Sequence, residues 1–510
     1  MKSLGPKQKL ILYGLTIFLS SAFLLVLEIT AGRLLAPYIG VSLYTWTSII
    51  GVILAGLSLG NWIGGRWADA GGNEKAAGFT LVLGAIFSFL ILVILQSLAP
   101  VIQKSELNLL TSSFVYVLLL FFMPSLLLGV ITPLLTTMAL SLDSRTGHIV
   151  GRMHALATLG SIVGTFVTGY WLVQYVGTRN IIVGTAVALL ILSVPFLLDM
   201  QRKLAVFLLS IGFVSGGMIF LSGANISPCD RESNYYCIRI VDKSASVPYG
   251  QARAMILDHL MHGINHKTED WLLVTSYTHL MDELILRHFG QKVHNGLRYF
   301  FAGGGSYSQP RATRALYKDA HITVAEIDAA VTEMAEQQMY YKRRGAIIKH
   351  RDARLVLFDA VPDSFDVVVG DVFHDISIPY HLLTLEYVQL LKSRLSVNGL
   401  YILNIIDAWP DAQLAKSVLK TLGSEFRHVD IWADRIPIGP VRMTYVISAT
   451  DKAVMPDKIS SKRGFQRTWY RITNRIIPNE KALANVPLLT DDYVPVERLI
   501  APLLFSKMGR

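Results

Sequence analysis

Cysteine is almost absent: the 510 residues hold two, Cys229 and Cys237. That excludes a disulfide-knit scaffold and a thiolate metal centre, and leaves at most one pair to form, which an oxidising compartment would allow. Charge is scarce as well. Asp, Glu, Lys and Arg make up 16% of the chain against 52% hydrophobic residues, too little for a single soluble domain. Acidic residues are the minority, 37 against 47 basic, for a formal net charge of +10. Yet Lys and Arg never gather into one run, which argues against nucleic acid as a partner and suits a chain lying beside anionic lipid. No spacing of His, Cys and acids proposes a metal, and no internal repeat is visible, which argues against a complete transporter.

What fills the first half instead is apolar text. Seven stretches, roughly 10–36, 44–65, 77–100, 115–140, 150–174, 179–198 and 204–222, approach or exceed the ~20 residues that cross a bilayer as helix. The sequence therefore predicts an all-α transmembrane bundle in contact with lipid. The first stretch follows Lys2, Lys7 and Lys9 like a signal peptide, but no small-residue cleavage site comes after it, so it is expected to stay attached. The tail and the loops after spans two, four and six carry Lys2, Lys7, Lys9, Arg66, Lys75, Arg145, Arg202 and Lys203. Those after spans one, three and five carry only Lys104 and Arg179. The basic side faces the cytoplasm, which puts the N-terminus inside and, after an odd number of spans, the remainder outside or in the periplasm. Against export stands the ligand argued below, a cytoplasmic type of metabolite. Gly51, Gly56, Gly60, Gly64 and Gly65 in span two, and Gly160, Gly164 and Gly169 in span five, predict close helix packing. Glu28 and Arg33 are either part of a polar route or a structural ion pair.

After Ser222 the pattern becomes soluble α/β. We expect a linker, a β-hairpin region (Tyr235 to Asp242, Ala252 to Asp258) and a connecting helix over 271–289 within 223–297, and a nucleoside-binding domain over 298–510. Short apolar runs at Arg298–Ala302, Ile322–Ala325, Leu355–Phe358, Val367–Val369 and Leu400–Ile405 predict a Rossmann-like parallel sheet buried on both faces, and runs at Val429–Trp432 and Thr444–Ile447 could add two strands. The most informative stretch is Arg298 to Asp328: a strand ending in Gly303-Gly304-Gly305, a helix, and a strand ending in Glu326-Ile327-Asp328. Strand, glycine turn, helix and strand with an acid at its tip is how such a sheet grips a nucleoside. Four acids stand where strands end. Glu326 is placed to accept from both ribose hydroxyls; Asp328 either shares that duty or caps the next helix; Asp359 follows the third predicted strand and Asp371 the fourth.

Residues 232–410 resemble the spermidine synthases, the polyamine aminopropyltransferases, and the whole chain resembles bacterial inner-membrane proteins in which such a domain follows a seven-span, transporter-like region. The resemblance rests on Glu28, Arg33 to Pro37 and Gly64 to Asp69 in the apolar half. In the soluble half it rests on Glu232 to Tyr235, Tyr277 with Leu280-Met281, Gly303 to Gly305, Glu326 to Asp328, Asp359-Ala360, Phe365 to Asp371, Ile378 to Thr384 and Leu489 to Pro495. It implies a methyltransferase-type fold and a co-substrate, decarboxylated S-adenosylmethionine or S-adenosylmethionine, with no metal. Gly303, Gly304, Gly305 and Ser306 with Glu326 and Asp328 would hold the ribose side, and Asp359-Ala360 the adenine. Asp371 would take the proton from an attacking amine, since a carboxylate in reach both holds an ammonium and accepts its proton. Read from the residues themselves, Tyr277, Tyr307 and Tyr380 either wall an amine or adenine site or lie in the core or rim, His381 either accepts a proton or caps a helix start, and Asp375 is a further candidate on the acceptor side.

The departures fall on the amine side. Ser306 stands where an Asp would hold the aminopropyl amine. Leu257-Asp258-His259 with His262 replaces a Leu-Asp-Gly gate followed by Gln, and Tyr236 replaces a Gln. His374 and Asp375 replace a second Asp three residues after Asp371, which makes His374 a candidate proton acceptor, and the segment between Asp359 and Asp366 is too short for the usual crossover helix. Weak or absent spermidine synthesis is therefore expected. Three readings follow: a membrane-anchored aminopropyl or related alkyl transferase, a methyltransferase on a membrane-associated or exported acceptor, and a non-catalytic sensor or transport accessory. A homodimer is compatible with each.

Overall fold

The computed structural model describes residues 5–105, 107–198, 202–373, 378–452, 455–479 and 481–505, and divides into two compact units, Met1–Pro228 and Cys229–Arg510.

Among the described residues, the first unit has seven helices long and apolar enough to cross a membrane: α1 (Pro6–Ile39), α2 (Leu43–Asp69), α3 (Glu74–Lys104), α4 (Leu109–Leu140), α5 (Thr146–Tyr175), α6 (Thr178–Leu197) and α7 (Arg202–Ser222). Several start where the chain offers a cap. The side chains of Ser42, Asn73 and Asn108 accept first-turn amides of α2, α3 and α4. The glycines divide by face. A Cβ on Gly60 would come within 2.1 Å of the Leu126 carbonyl, and one on Gly160 within 2.0 Å of the Phe18 carbonyl, so α2 meets α4 and α5 meets α1 backbone to backbone. Gly51, Gly65 and Gly169 have open space instead. The outer faces of α5 and α7 present Leu159, Phe166, Phe207 and Phe213, as suits hydrocarbon surroundings. Arg179 is not a free loop charge: it is buried, donating to the Tyr38 hydroxyl at 3.0 Å and to the Ala224 carbonyl.

The second unit opens with a disulfide between Cys229 and Cys237 and a four-stranded antiparallel sheet, β1 (Arg231–Glu232), β2 (Cys237–Asp242), β3 (Ala252–Leu257) and β4 (Leu260–His266), in that order. Helix α8 (Ser276–Phe289) follows. The main sheet has nine strands in the order β12-β13-β10-β11-β9-β8-β5-β6-β7. Strands β5 (Arg298–Ala302), β6 (His321–Ala325), β7 (Ile347–Lys349), β8 (Phe365–Gly370) and β9 (Leu395–Trp409) run parallel. Helices α9 (Ser308–Leu316), α10 (Ala329–Gln338), α11 (Ala353–Asp359) and α12 (Leu385–Arg394) link them.

Two features depart from the sequence reading. The sheet is mixed: after α13 (Gln413–Gly423), strands β10 (His428–Ala433), β11 (Val441–Thr450), β12 (Lys458–Ser460) and β13 (Thr468–Arg471) add antiparallel, because the loop between β10 and β11 is a short hairpin connection rather than a crossover. And Leu355–Phe358 is no strand. It lies in α11, where Ala353, Val356 and Leu357 are buried while Leu355 and Phe358 are exposed, a helical spacing. Asp352 starts that helix by accepting from the amides of Arg354 and Leu355. The third parallel strand is the short edge strand β7.

Candidate active site at the strand tips

Each parallel strand ends in one element of the site. At the tip of β5, Gly303 has φ +88°, and a Cβ there would lie 2.4 Å from the Asp371 carbonyl oxygen, so the turn passes against the tip of β8 only because it is glycine. The amides of Gly304 and Gly305 donate to Glu326 at the tip of β6, at 2.8 and 3.3 Å, and its other oxygen accepts the Asp328 amide at 3.0 Å. Burial pushes the Glu326 carboxyl up despite these amides. Glu326 therefore holds the glycine turn in shape, and the oxygen that accepts the Asp328 amide keeps a further lone-pair site. Asp328 is spent on structure: it caps α10 through the Ala330 amide and accepts from the Ser233 hydroxyl.

Asp371 directly follows β8. It is enclosed, and burial pushes its carboxyl up to about 6, against hydrogen bonds from Tyr277, Gln309 and Asn404. Tyr277 Oη and Gln309 Nε2 each donate to Oδ2 at 3.3 Å. Asp371 lines a cavity of about 600 Å3. Its floor is one face of the antiparallel strands, where Asn404 and Ile406 of β9 stand beside Arg442, Thr444 and Val446 of β11, every second residue of each. The start of α8 with Tyr277, and His262 of β4, close two further sides, and the turn's Gly305 packs against His262, its Cβ position 3.5 Å from that of the histidine.

The other sequence-predicted residues separate. Ser306 is buried, its hydroxyl 2.7 Å from that of Ser308 and donating to the His262 carbonyl at 3.3 Å, which fastens the turn to β4. Tyr307 is no substrate wall: it is fully buried, stacked on Tyr341 at 4.3 Å with its hydroxyl 2.6 Å from that of Thr332, because its ring fills the space beneath Gly304. Tyr380 is exposed. His381 does not face Asp371; its Nε2 lies 2.8 Å from Asp352. Asp359 is exposed at the end of α11 and pairs with Arg351, with Ala360 just beyond it, so this Asp-Ala lies at the far end of the helix from the strand tips. His374 and Asp375 lie outside the described residues.

The acid that the sequence reading missed is Asp352. It follows the β7 tip, caps α11, and is held below the usual carboxylate range by His381 and two first-turn amides, which outweigh its partial burial. Asp352-Ala353 repeats the Asp-Ala pair seven residues earlier, and the crossover helix missing after Asp359 is found after Asp352. That misplaced helix was the available signal. Arg354 of α11 is clasped by both oxygens of Asp491 at 2.7 and 2.6 Å, so the Leu489–Pro495 segment braces the outside of this helix.

No protein-family model matches the chain. A polyamine aminopropyltransferase from Vibrio vulnificus is 32% identical over 110 residues, 21% of this chain and 37% of that protein. A probable polyamine aminopropyl transferase from Bifidobacterium longum is 29% identical over 215 residues, 39% and 47% of the two chains. This chain thus spans less than half the length of these curated relatives. Among solved structures, a probable spermidine synthase from Corynebacterium glutamicum aligns with a TM-score of 0.44 and 20% identity, over 51% of this chain and 95% of that one. In sequence, the chain is similar over part of its length to proteins named polyamine aminopropyltransferases.

Proposed function

We propose that the chain is a membrane-anchored transferase that binds an S-adenosylmethionine-type nucleoside and moves an alkyl group from its sulfonium carbon to an amine. The observation that carries this is Asp371: its backbone carbonyl lies against the glycine turn, and its buried carboxylate faces a cavity large enough for a small amine. The nucleophilic nitrogen bonds to the carbon beside sulfur as the carbon–sulfur bond breaks, its electron pair staying on sulfur to give a neutral thioether. The nitrogen's proton passes to Asp371. A carboxyl raised by burial is a better base than an exposed one and stays mostly ionised at neutral pH. Tyr277 and Gln309 aim it, and positioning supplies much of the rest.

On the nucleoside side the reading assigns the ribose to Glu326 and the glycine turn, and the adenine to Asp352. Binding of the thioether nucleoside to the full chain in detergent tests this. D352N is expected to weaken it about tenfold, as for loss of one charged hydrogen bond, and D359N to leave it unchanged. The reverse order would restore Asp359 and overturn the assignment.

We further propose that the second unit lies on the side of the membrane away from the N-terminus. Seven candidate spans, the basic loops on one side and the Cys229–Cys237 bond support this. In spheroplasts, an impermeant thiol reagent should label neither cysteine before reduction and both after an impermeant reductant. Labelling that appears only on permeabilisation would place the unit inside.

A further inference from the structure

The chain's only cysteines, Cys229 and Cys237, are joined across a sequence separation of 8, and the loop they close leans on the tips of β6 and β8. Arg231 pairs with Glu333 of α10. The Ser233 hydroxyl donates to Asp328, the cap of α10, whose own amide donates to Glu326. The same hydroxyl accepts the amides of Tyr235 and Tyr236 at 3.1 and 2.9 Å. That turn seats the buried Tyr236, whose hydroxyl donates at 3.3 Å to the carbonyl of Phe373, a residue lining the cavity. The loop thus touches the neighbour of the ribose acid and the cavity wall together. Its strand β1 is two residues long and lies at the edge of the sheet. So short a hairpin is marginal without a covalent link that limits its open conformations. Cys237 is buried, whereas Cys229 is partly exposed between exposed Pro228 and Asp230, so one sulfur stands within reach of an attacking thiolate.

We propose that this disulfide is a redox-sensitive modification site that sets the grip of the nucleoside seat, opened by a dithiol of the thiol–disulfide oxidoreductase class and closed by oxidation. The consequence for binding rests on the nucleoside reading above, whereas the opening of the loop does not. A thiolate of the reductant attacks Cys229 Sγ, and the sulfur–sulfur electron pair leaves with Cys237 Sγ, which takes up a proton. The second thiol of the reductant then displaces Cys229 from the mixed disulfide. The reductant ends as a disulfide, and the chain gains two electrons and two protons as two thiols. With the loop open, Tyr236 is released from Phe373, and Asp328 loses the hydroxyl that fixes it beside Glu326.

The test uses the full chain in detergent, oxidised or treated with dithiothreitol, with the released thiols counted. Reduction is expected to weaken binding of the thioether nucleoside about tenfold, as for loss of one charged hydrogen bond, and reoxidation to restore it. Hydrogen exchange across the first turn of α10, where the Ala330 amide donates to Asp328, should quicken on reduction by roughly fivefold or more. C229S/C237S should match the reduced chain and ignore the reductant. Should that variant not fold, reduction and reoxidation of the unaltered chain decide. Two thiols released with neither readout changed would overturn the switch, as would a bond that dithiothreitol opens only when the protein unfolds. Quickened exchange in a chain that binds no nucleoside in either state would overturn the nucleoside reading, and with it the effect on binding, while supporting the redox opening.

Discussion

D371N should lower the rate of alkyl transfer by 100- to 10,000-fold while nucleoside affinity changes less than threefold, which is the range for losing a positioned general base. Asn keeps the shape and can still accept from Tyr277 and Gln309, so what is lost is the ability to take a proton. The pH profile of the unaltered protein supplies an independent check. Burial holds the Asp371 carboxyl at about 6, so kcat/KM should fall as pH drops through that value. His262, which also lines the cavity, is pushed by burial down to about 4 and has no step there. Stability runs the opposite way. A carboxyl raised in the folded state favours folding when protonated, and that advantage is lost as pH rises through about 6. D371N should therefore unfold no earlier than the parent at pH 8. A variant that loses activity and also unfolds much earlier would point to a structural role, and one that keeps its rate would remove Asp371 from the mechanism.

G303A should abolish nucleoside binding and destabilise the second unit by about 2–4 kcal/mol. Two costs add: a non-glycine residue at φ +88° is strained by roughly 1–2 kcal/mol, and the new methyl would sit 2.4 Å from the Asp371 carbonyl, a backbone atom that cannot swing aside. Relief requires β5 and β8 to part at their tips, which moves Asp371 and the turn amides that bind Glu326. G423A is the matched control, since a Cβ there meets nothing within 4 Å. Thermal unfolding in detergent and nucleoside titration read both variants. A G303A protein that binds as well as G423A would show that the turn is not the nucleoside seat.

The sequence was most readable where one residue type has one use. Gly303 and the alternation of strand and helix around it were legible because a positive φ beside a strand tip nearly demands glycine. The apolar spans were legible because hydrocarbon imposes length. The reading failed at Asp352 because an Asp-Ala pair occurs twice within nine residues, and the second copy follows a run, Leu355–Phe358, whose apolar residues fit a strand as well as a short helix. Only the capping of α11 by Asp352 decides between them. Tyr307 misled for a similar reason: an aromatic beside a glycine turn reads as a binding wall, whereas its left-handed backbone, φ 56°, turns the ring inward under Gly304. Asp407 could not be read at all. It sits at the end of β9, is buried with its carboxyl pushed up to about 7, and accepts the amide of Ala415 at 2.9 Å in the first turn of α13. A helix cap supplied from the preceding strand leaves no local signature.

The glycine seams of the apolar unit carry a mechanical meaning. Where Gly60 lies against the Leu126 carbonyl, and Gly160 against that of Phe18, no side chain separates the two backbones. Sliding either helix by one residue would drive a Cβ into main-chain oxygen, so each couple is locked in register as a single rod. Any rearrangement of this bundle must take place along boundaries other than these two, with α2 and α4 travelling together and α1 and α5 likewise.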